Sequence, residues 1–156
     1  MSKEEFRFHL SLRVRWAECD LQGIVYNACY VTYLEVAQVD YFRNLGILIY
    51  DERQRTSFDT ATVKATLEFK APAKLDEMID VYTRVPYIGS SSFTMETEIY
   101  REDSDVLLVK AEVVYVNYDA DQGEARPVPD DVRTRINQFE ETGKIVSVSG
   151  ESANPP

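Results

Sequence analysis

The pattern between residues 27 and 45 restricts the fold most, because it predicts one long helix in a chain of strand-like segments. Apolar residues recur there at spacings of three and four, as on one face of an α-helix: Tyr30, Leu34, Ala37, Tyr41 and Leu45. Further apolar side chains widen this face, which is typical of a largely buried helix. Asn27 is the predicted N-cap and Gly46 the predicted C-terminal stop. The rest of the chain must cover this helix.

Strand patterns surround the helix. Residues 6–16 alternate between apolar and polar with a period of two, ending at Trp16, which predicts a strand with one buried face. Further strand patterns follow at residues 62–70, 78–87, 92–100 and 106–118. Residues 47–60 are predicted to form a loop or short helix, and residues 129–141 a terminal helix.

This order of elements favours an α+β fold, in which one curved, mostly antiparallel sheet wraps around one helix. Because such a sheet leaves its outer side uncovered, we expect a homodimer; a tetramer is left open. The length of 156 residues suits a single domain, assigned to residues 1–143. Residues 144–156 are expected to form a disordered tail, since their end is small, polar and proline-terminated.

Composition excludes several classes of function. The net charge of −10 disfavours nucleic acid as a partner, because phosphate binding needs clustered basic residues. The chain has no apolar run of the ~20 residues that span a membrane, and its polar N-terminus is no targeting signal, so a cytoplasmic protein is expected. Cys19, Cys29 and the single His9 do not match a disulfide framework or a zinc site. No metal or cofactor is predicted.

The segment between the first strand and the helix carries the strongest functional signal. A strand-like run ends near Asp20, Gly23 permits a tight turn, and the helix pattern follows. Unpaired N–H groups at a helix start carry partial positive charge, so those of Tyr26, Asn27 and Ala28 are candidates to polarise a carbonyl. A carboxylate beside such donors suits acyl transfer, with Asp20 as nucleophile or general base.

Each of these residues also has a structural alternative. An aspartate before a glycine is commonly a turn residue, and Asn27 could serve only as the N-cap. Tyr26 and Tyr30 are interpreted as packing residues, and Glu18 as a solvated charge. Glu35, on the apolar helix, is the competing carboxylate: if buried there, it could act as the base instead of Asp20.

The segment resembles the active-site segment of the 4-hydroxybenzoyl-CoA thioesterase family, in its YbgC-like branch. The matching residues are Asp20, Gly23, Ile24, Val25, Tyr26 and Asn27. Weaker similarity extends from about residue 6 to residue 140 and includes residues 69–73, 88–93, 116–119 and 126–129. Many relatives carry histidine where Asn27 stands here, so no imidazole role is assigned.

The resemblance implies the hotdog fold, a curved sheet wrapped around a helix, and a dimer that pairs through its sheets. It implies an acyl-CoA thioesterase that releases free acid and CoA, with no cofactor. Asp20 would be the catalytic carboxylate and the Asn27 backbone N–H, with Ala28 beside it, the carbonyl polariser. Gly23 and Tyr26 would contact the substrate, which lies at the dimer interface.

The carrier of the acyl group is left open between CoA and acyl-carrier protein. Relatives often place Arg or Lys near the segment that matches residues 87–92, where it can meet the CoA phosphates, whereas this segment here has no cation. Ser90 and Ser91 could still donate hydrogen bonds to the substrate. The other candidate phosphate partners are Lys64, Lys70, Lys74 and Arg84.

Two other functions are compatible with the same fold. A dehydratase or hydratase of acyl thioesters usually pairs a histidine with a carboxylate on the helix side, and the position of His9 in the first strand disfavours it. The other is a dimer that binds acyl thioesters without catalysis, because fold alone does not decide function.

Overall fold

The computed structural model describes residues 3–145, so all of the expected tail except residues 144 and 145 lies outside the described residues. The helices are α1 (Cys29–Asn44), α2 (Glu52–Arg55) and α3 (Asp130–Thr142). The strands are β1 (Phe8–Arg13), β2 (Thr60–Phe69), β3 (Met78–Ile88), β4 (Ser92–Arg101), β5 (Leu107–Asp119) and β6 (Glu124–Ala125). The long helix, the short helix in 47–60, four later strands and the terminal helix were all predicted.

The strands form one antiparallel sheet in the order β1-β3-β4-β5-β2, and β6 pairs only with the end of β5. Helix α1 packs against β1 and β3. The predicted α+β arrangement of an antiparallel sheet around one helix is confirmed. No helix within residues 3–145 is long and apolar enough to cross a membrane.

One face of α1 and the inward face of the sheet form the core. On β4 the inward side chains are Phe93, Met95, Thr97 and Ile99, as the period of two predicts. An aromatic cluster holds the C-terminal half of α1: the ring of Phe42 lies 5.4 Å from that of Phe58 and 5.6 Å from that of Phe93. A second cluster, with Val25, Tyr30, Tyr33 and Ala73, lies beneath the N-terminal half.

The first strand is shorter than predicted. It ends at Arg13, and Trp16 lies in a 3₁₀ turn (Trp16–Glu18), where it is 84% exposed instead of buried. The turn is closed by local hydrogen bonds, from the Glu18 N–H to the Arg15 carbonyl (3.0 Å) and from the Cys19 N–H to the Trp16 carbonyl (3.1 Å). These bonds turn the chain away from the sheet. The apolar–polar alternation of the sequence therefore continues to Trp16, but beyond Arg13 it no longer indicates which side chains are buried.

The edge strand β2 is more exposed than its alternating pattern predicts. Val63 is 58% exposed and Phe69 is 50% exposed. The register of β2 against β5 is irregular between Thr62 and Lys64, where Val63 is the extra residue. Among the described strands only β5 pairs with β2, so its other edge is open. In the single chain, the alternation of β2 therefore does not mark a buried face.

Candidate active site

Residues 19–25 form a tight reversal between the 3₁₀ turn and the helix. The backbones of Cys19 and Val25 form an isolated antiparallel β-bridge, and the Asp20 N–H donates to the Ile24 carbonyl at 3.0 Å. The Gly23 N–H donates to the Asp20 carbonyl at 3.0 Å. Gly23 has φ +74°, a left-handed conformation that a side chain makes costly. We call residues 19–25 the Asp20 loop.

The Asp20 carboxylate is exposed, and one of its oxygens is fixed by the backbone. Oδ1 accepts a hydrogen bond from the Gln22 N–H at 2.8 Å. Among residues 3–145 no group donates to Oδ2. Asp20 therefore serves as the turn residue of the structural alternative, and its second oxygen accepts no hydrogen bond from the described residues.

The Asp20 loop leads directly into α1. The helix begins at Cys29 with Ala28 as N-cap, and the Asn27 side chain makes no capping bond, so the predicted N-cap at Asn27 is wrong. The Tyr26 N–H donates to the Glu18 carbonyl at 2.9 Å, which removes it as a polarising donor. The N–H groups of Asn27 and Ala28 donate to no group in the described part of the chain. These two are the donors at the helix start that a substrate could use.

Glu18 is buried, which overturns its interpretation as a solvated charge. It is 8% exposed, and its carboxylate accepts hydrogen bonds from the Arg15 backbone N–H (2.8 Å), the Arg15 Nη2 (2.8 Å) and the Tyr33 hydroxyl (3.0 Å). Burial opposes ionisation, but the bonds from Arg15 and Tyr33 together outweigh it and leave the pKa of Glu18 lowered. Glu18 is therefore an ionised, fully partnered group two residues before Asp20.

A cavity of about 230 Å³ lies beside the helix start. Its lining comes from the Asp20 loop, the start of α1 and the end of β2: Ile24, Val25, Asn27, Tyr30, Phe69, Lys70, Ala71 and Pro72. Asp20 itself does not line it, and neither does Tyr26, which is 56% exposed. Tyr30 is buried, as predicted for a packing residue, and burial raises the pKa of its hydroxyl. The cavity is thus mostly apolar, with an amide and an ammonium at its wall.

Ser90 and Ser91 lie at the opposite end of the sheet from Asp20. The Asp20 loop adjoins the segment before β3, whereas these serines follow the end of β3. The 11 residues of β3 make ten steps of ~3.3 Å each, so the two ends of the strand lie about 33 Å apart. The predicted site residues therefore do not all meet within one chain.

Arg133 of α3 is a cation at the serine turn that sequence reasoning missed. Its Nη2 donates to the carbonyls of Gly89 (2.8 Å) and Ser90 (3.2 Å). The segment 87–92 has no cation of its own, but α3 brings one to it. No local pattern could have revealed this, since Arg133 lies in a different element far along the chain.

The other predicted phosphate partners are dispersed. Lys70 lines the cavity and pairs with Glu68 at 3.2 Å, and the backbone of Lys74 bridges Ile24 beside the Asp20 loop. Arg84 pairs with Glu96 at 2.8 Å. Lys64 lines a separate charged groove on the outer face of the sheet.

Glu35 and His9 do not join the site. Glu35 is exposed on α1, so the burial on which its role as a base depended is absent from the single chain. His9 stacks on Tyr82 at 4.8 Å, on the sheet face opposite to α1, which leaves a histidine-dependent dehydratase without its group. Cys19 and Cys29 are free thiols. Among residues 3–145 no three His, Cys, Asp or Glu side chains are grouped as metal ligands.

The chain resembles proteins that are known as thioesterases. The Thioesterase-like superfamily model matches residues 14–136. The acyl-CoA thioester hydrolase YbgC of Escherichia coli is 28% identical over 133 residues, which cover 84% of this chain and 96% of the relative. The acyl-CoA thioesterase YbgC of Haemophilus influenzae is 27% identical over 136 residues, which cover 85% and 96%.

Solved structures support the same fold. A 1,4-dihydroxy-2-naphthoyl-CoA thioesterase from Synechocystis superposes with a TM-score of 0.78 at 21% identity, covering 85% of this chain and 97% of its own. A thioesterase from Thermus thermophilus, complexed with coenzyme A and zinc, superposes with a TM-score of 0.75 at 24% identity, covering 92% and 99%. The fold is the hotdog fold, and the family match over residues 14–136 shows that this chain belongs to the thioesterase-like superfamily.

Proposed function

We propose that this chain hydrolyses acyl-CoA thioesters and that Asp20 is its catalytic carboxylate. One observation carries the assignment of Asp20: its loop leads directly into the start of α1, where the N–H groups of Asn27 and Ala28 have no partner among the described residues. A carboxylate and a pair of anion-stabilising donors on adjoining segments are what acyl transfer requires. Membership in a thioesterase family supports the same activity.

Two routes fit this arrangement. In the first, Asp20 Oδ2 attacks the thioester carbonyl, the carbon–sulfur bond breaks and the thiolate leaves; water then hydrolyses the mixed anhydride, which frees the acid and restores Asp20. In the second, Asp20 takes a proton from a water molecule as that water attacks the carbonyl; the carbon–sulfur bond breaks and the departing sulfur takes up the proton. In both routes the N–H groups of Asn27 and Ala28 stabilise the negative charge that develops on the carbonyl oxygen.

The cavity beside the helix start is the proposed place of the thioester. Ile24, Val25 and Phe69 give it apolar walls, and Asn27 belongs to both the cavity and the helix start. A thioester carbonyl that enters this cavity would therefore approach the proposed N–H donors. Lys70, at the same wall, offers a positive charge to an anionic part of the substrate.

We further propose that a two-fold dimer completes the site. The end of β2 lines the cavity with Phe69, while its first residue, Thr60, pairs with Asn117, whose N–H donates to the Ser91 carbonyl at 2.8 Å. Antiparallel pairing of two β2 edges would bring the end of one β2 beside the start of the other. The partner's Ser90, Ser91 and Arg133 would then lie on the cavity side, near the substrate's phosphates.

The catalytic proposal is tested by Asp20→Asn in a thiol-release assay on acyl-CoA substrates of short, long and aromatic chains. Turnover should fall by about 10²- to 10⁴-fold, the range that a positioned acid or base contributes. Asp51→Asn is the matched control, because Asp51 Oδ1 also accepts a hydrogen bond from the N–H two residues on, at 2.8 Å, at the start of α2. Unchanged turnover in Asp20→Asn, with loss in Glu35→Gln, would transfer the role to Glu35.

The proposed dimer is tested by measuring the molecular mass of the protein in solution. Val63→Asp puts a charge on the open edge of β2 and should convert the dimer to a monomer with lower activity. Val106→Asp, at a valine that is 41% exposed and lies outside β2, should leave the dimer intact. A wild-type monomer with full activity would refute the shared site. Parallel assays with acyl-CoA and acyl-carrier protein identify the carrier.

A further inference from the structure

We infer that Glu18 and Tyr33 are positioning residues, which hold the Asp20 loop at a fixed place relative to the N–H donors of α1. The inference rests on the proposed function, since it concerns the same carboxylate and the same donors. Neither residue is among the positions that carry the resemblance in the Asp20 loop and at Asn27.

The contacts of Glu18 connect the loop to the helix. Through its side chain, Oε1 accepts from the Tyr33 hydroxyl at 3.0 Å, and Tyr33 is 2% exposed on the second turn of α1. Through its backbone, the Glu18 carbonyl accepts from the Tyr26 N–H at 2.9 Å, just after the Asp20 loop ends. Glu18 thus contacts the chain at both ends of the loop and also the helix that follows Asn27 and Ala28.

The charge of Glu18 is costly to bury, which argues that its role is more than packing. Replacing a buried ion pair by well-packed apolar side chains of similar volume is often neutral or stabilising, so packing alone does not require a carboxylate here. A buried charge can instead specify one arrangement of the groups around it, and this is the role we assign to Glu18. The Arg15 side chain is exposed and Tyr33 is buried. The Glu18 carboxylate is therefore hydrogen-bonded on its solvent side by Arg15 and on its core side by Tyr33.

Loss of the Glu18–Tyr33 bond would leave Asp20 and the N–H donors intact but would remove the side-chain contact that holds the loop against α1. Catalysis is sensitive to such a change, because a misplacement of about 1 Å can cost about 100-fold in rate. Substrate binding depends on the cavity and the remote phosphate contacts instead. The expected signature is therefore a fall in kcat with little change in KM.

Tyr33→Phe tests this with a matched control on the same helix. Tyr41→Phe also removes a buried tyrosine hydroxyl that donates to a glutamate, Glu140 Oε1 at 2.6 Å, but near the other end of α1. Both variants lose one hydrogen bond and should lose similar stability. Tyr33→Phe should lower kcat by roughly 10-fold or more with KM nearly constant, and Tyr41→Phe should leave both constants unchanged.

Glu18→Gln supplies a second test, because its amide oxygen can still accept from Tyr33 while the ion pair with Arg15 is lost. Its kcat should fall between those of wild type and Glu18→Ala. Unchanged kcat in both Tyr33→Phe and Glu18→Gln would overturn the inference. An equal fall in kcat in Tyr33→Phe and Tyr41→Phe would overturn it too. Asp20→Asn distinguishes failure of this inference from failure of the proposed function. If Asp20→Asn keeps full turnover, the proposed function fails. If only the inference fails, Asp20→Asn is still inactive.

Discussion

Gly23 gives a prediction whose size follows from the structure. Its φ of +74° lies in the left-handed region, and a Cβ added there would meet no atom of the described chain within 4 Å. Gly23→Ala therefore adds no steric clash within the chain, only the conformational cost of an L-residue in that region. This cost is about 1–2 kcal/mol.

That free energy acts on the Asp20 loop. The Gly23 N–H closes the turn on the Asp20 carbonyl at 3.0 Å, and its carbonyl accepts from the Leu75 N–H at 3.1 Å. A penalty of about 1–2 kcal/mol lowers the ratio of closed to open loop by a factor of about 5–30. If the closed loop is the active one, kcat/KM of Gly23→Ala in the thiol-release assay should fall by at most that factor.

Gly23→Asn distinguishes a need for the left-handed backbone conformation from a need for empty space beside residue 23. Asparagine adopts left-handed φ values more readily than alanine, although its side chain is larger. If the turn alone requires Gly23, the asparagine variant should retain more activity than the alanine variant. An asparagine variant worse than the alanine variant would refute this reasoning and indicate that a substrate or the partner subunit passes close to Gly23.

Three further predictions concern other parts of the chain. Burial raises the pKa of Glu140, so above the usual carboxyl pKa the folded state binds more protons than the unfolded state. The unfolding free energy of wild type, measured with denaturant, should therefore fall relative to that of Glu140→Gln as pH rises above the usual carboxyl range; a constant difference would contradict this. Arg133→Gln should raise KM for acyl-CoA by about 10-fold, the worth of one charge-assisted bond, but leave KM for acyl-pantetheine, which lacks the nucleotide phosphates, unchanged. Phe42→Ala, at a fully buried ring, should destabilise the fold by about 3–5 kcal/mol in the same denaturant experiment.

Much of the fold could be predicted because periodicity reports which face of an element is buried. The three-and-four spacing from Tyr30 to Leu45 identified α1, and alternation identified β4, where Phe93 and Met95 point inward. The Asp20 loop was predictable as a turn because Asp and Gly have distinct backbone preferences. These signals are local, and the structures they specify are local too.

Burial that depends on distant residues was not predictable. Glu18 has the local sequence of a solvated charge, but Tyr33, fifteen residues along the chain, covers it and donates to it at 3.0 Å. Glu35 shows the reverse: apolar neighbours on the helix suggested burial, yet within one chain it faces solvent. Arg133 reaches the serine turn only because α3 packs there. Each case is decided by which element lies opposite, which the period of a segment does not encode.

The open edge of β2 and the division of the proposed site have a common physical explanation. A strand with unpaired backbone groups and half-exposed apolar residues such as Val63 and Phe69 invites pairing with another chain unless it is protected. Two-fold pairing would satisfy these groups. Because it is antiparallel, it would also bring the Asp20 loop of one chain towards the serine turn of the other, although β3, about 33 Å long, separates them within one chain. A site confined to one chain would need a second explanation for the edge. The proposed dimer accounts for both features with one interface, so Val63→Asp should lose subunit pairing and activity together.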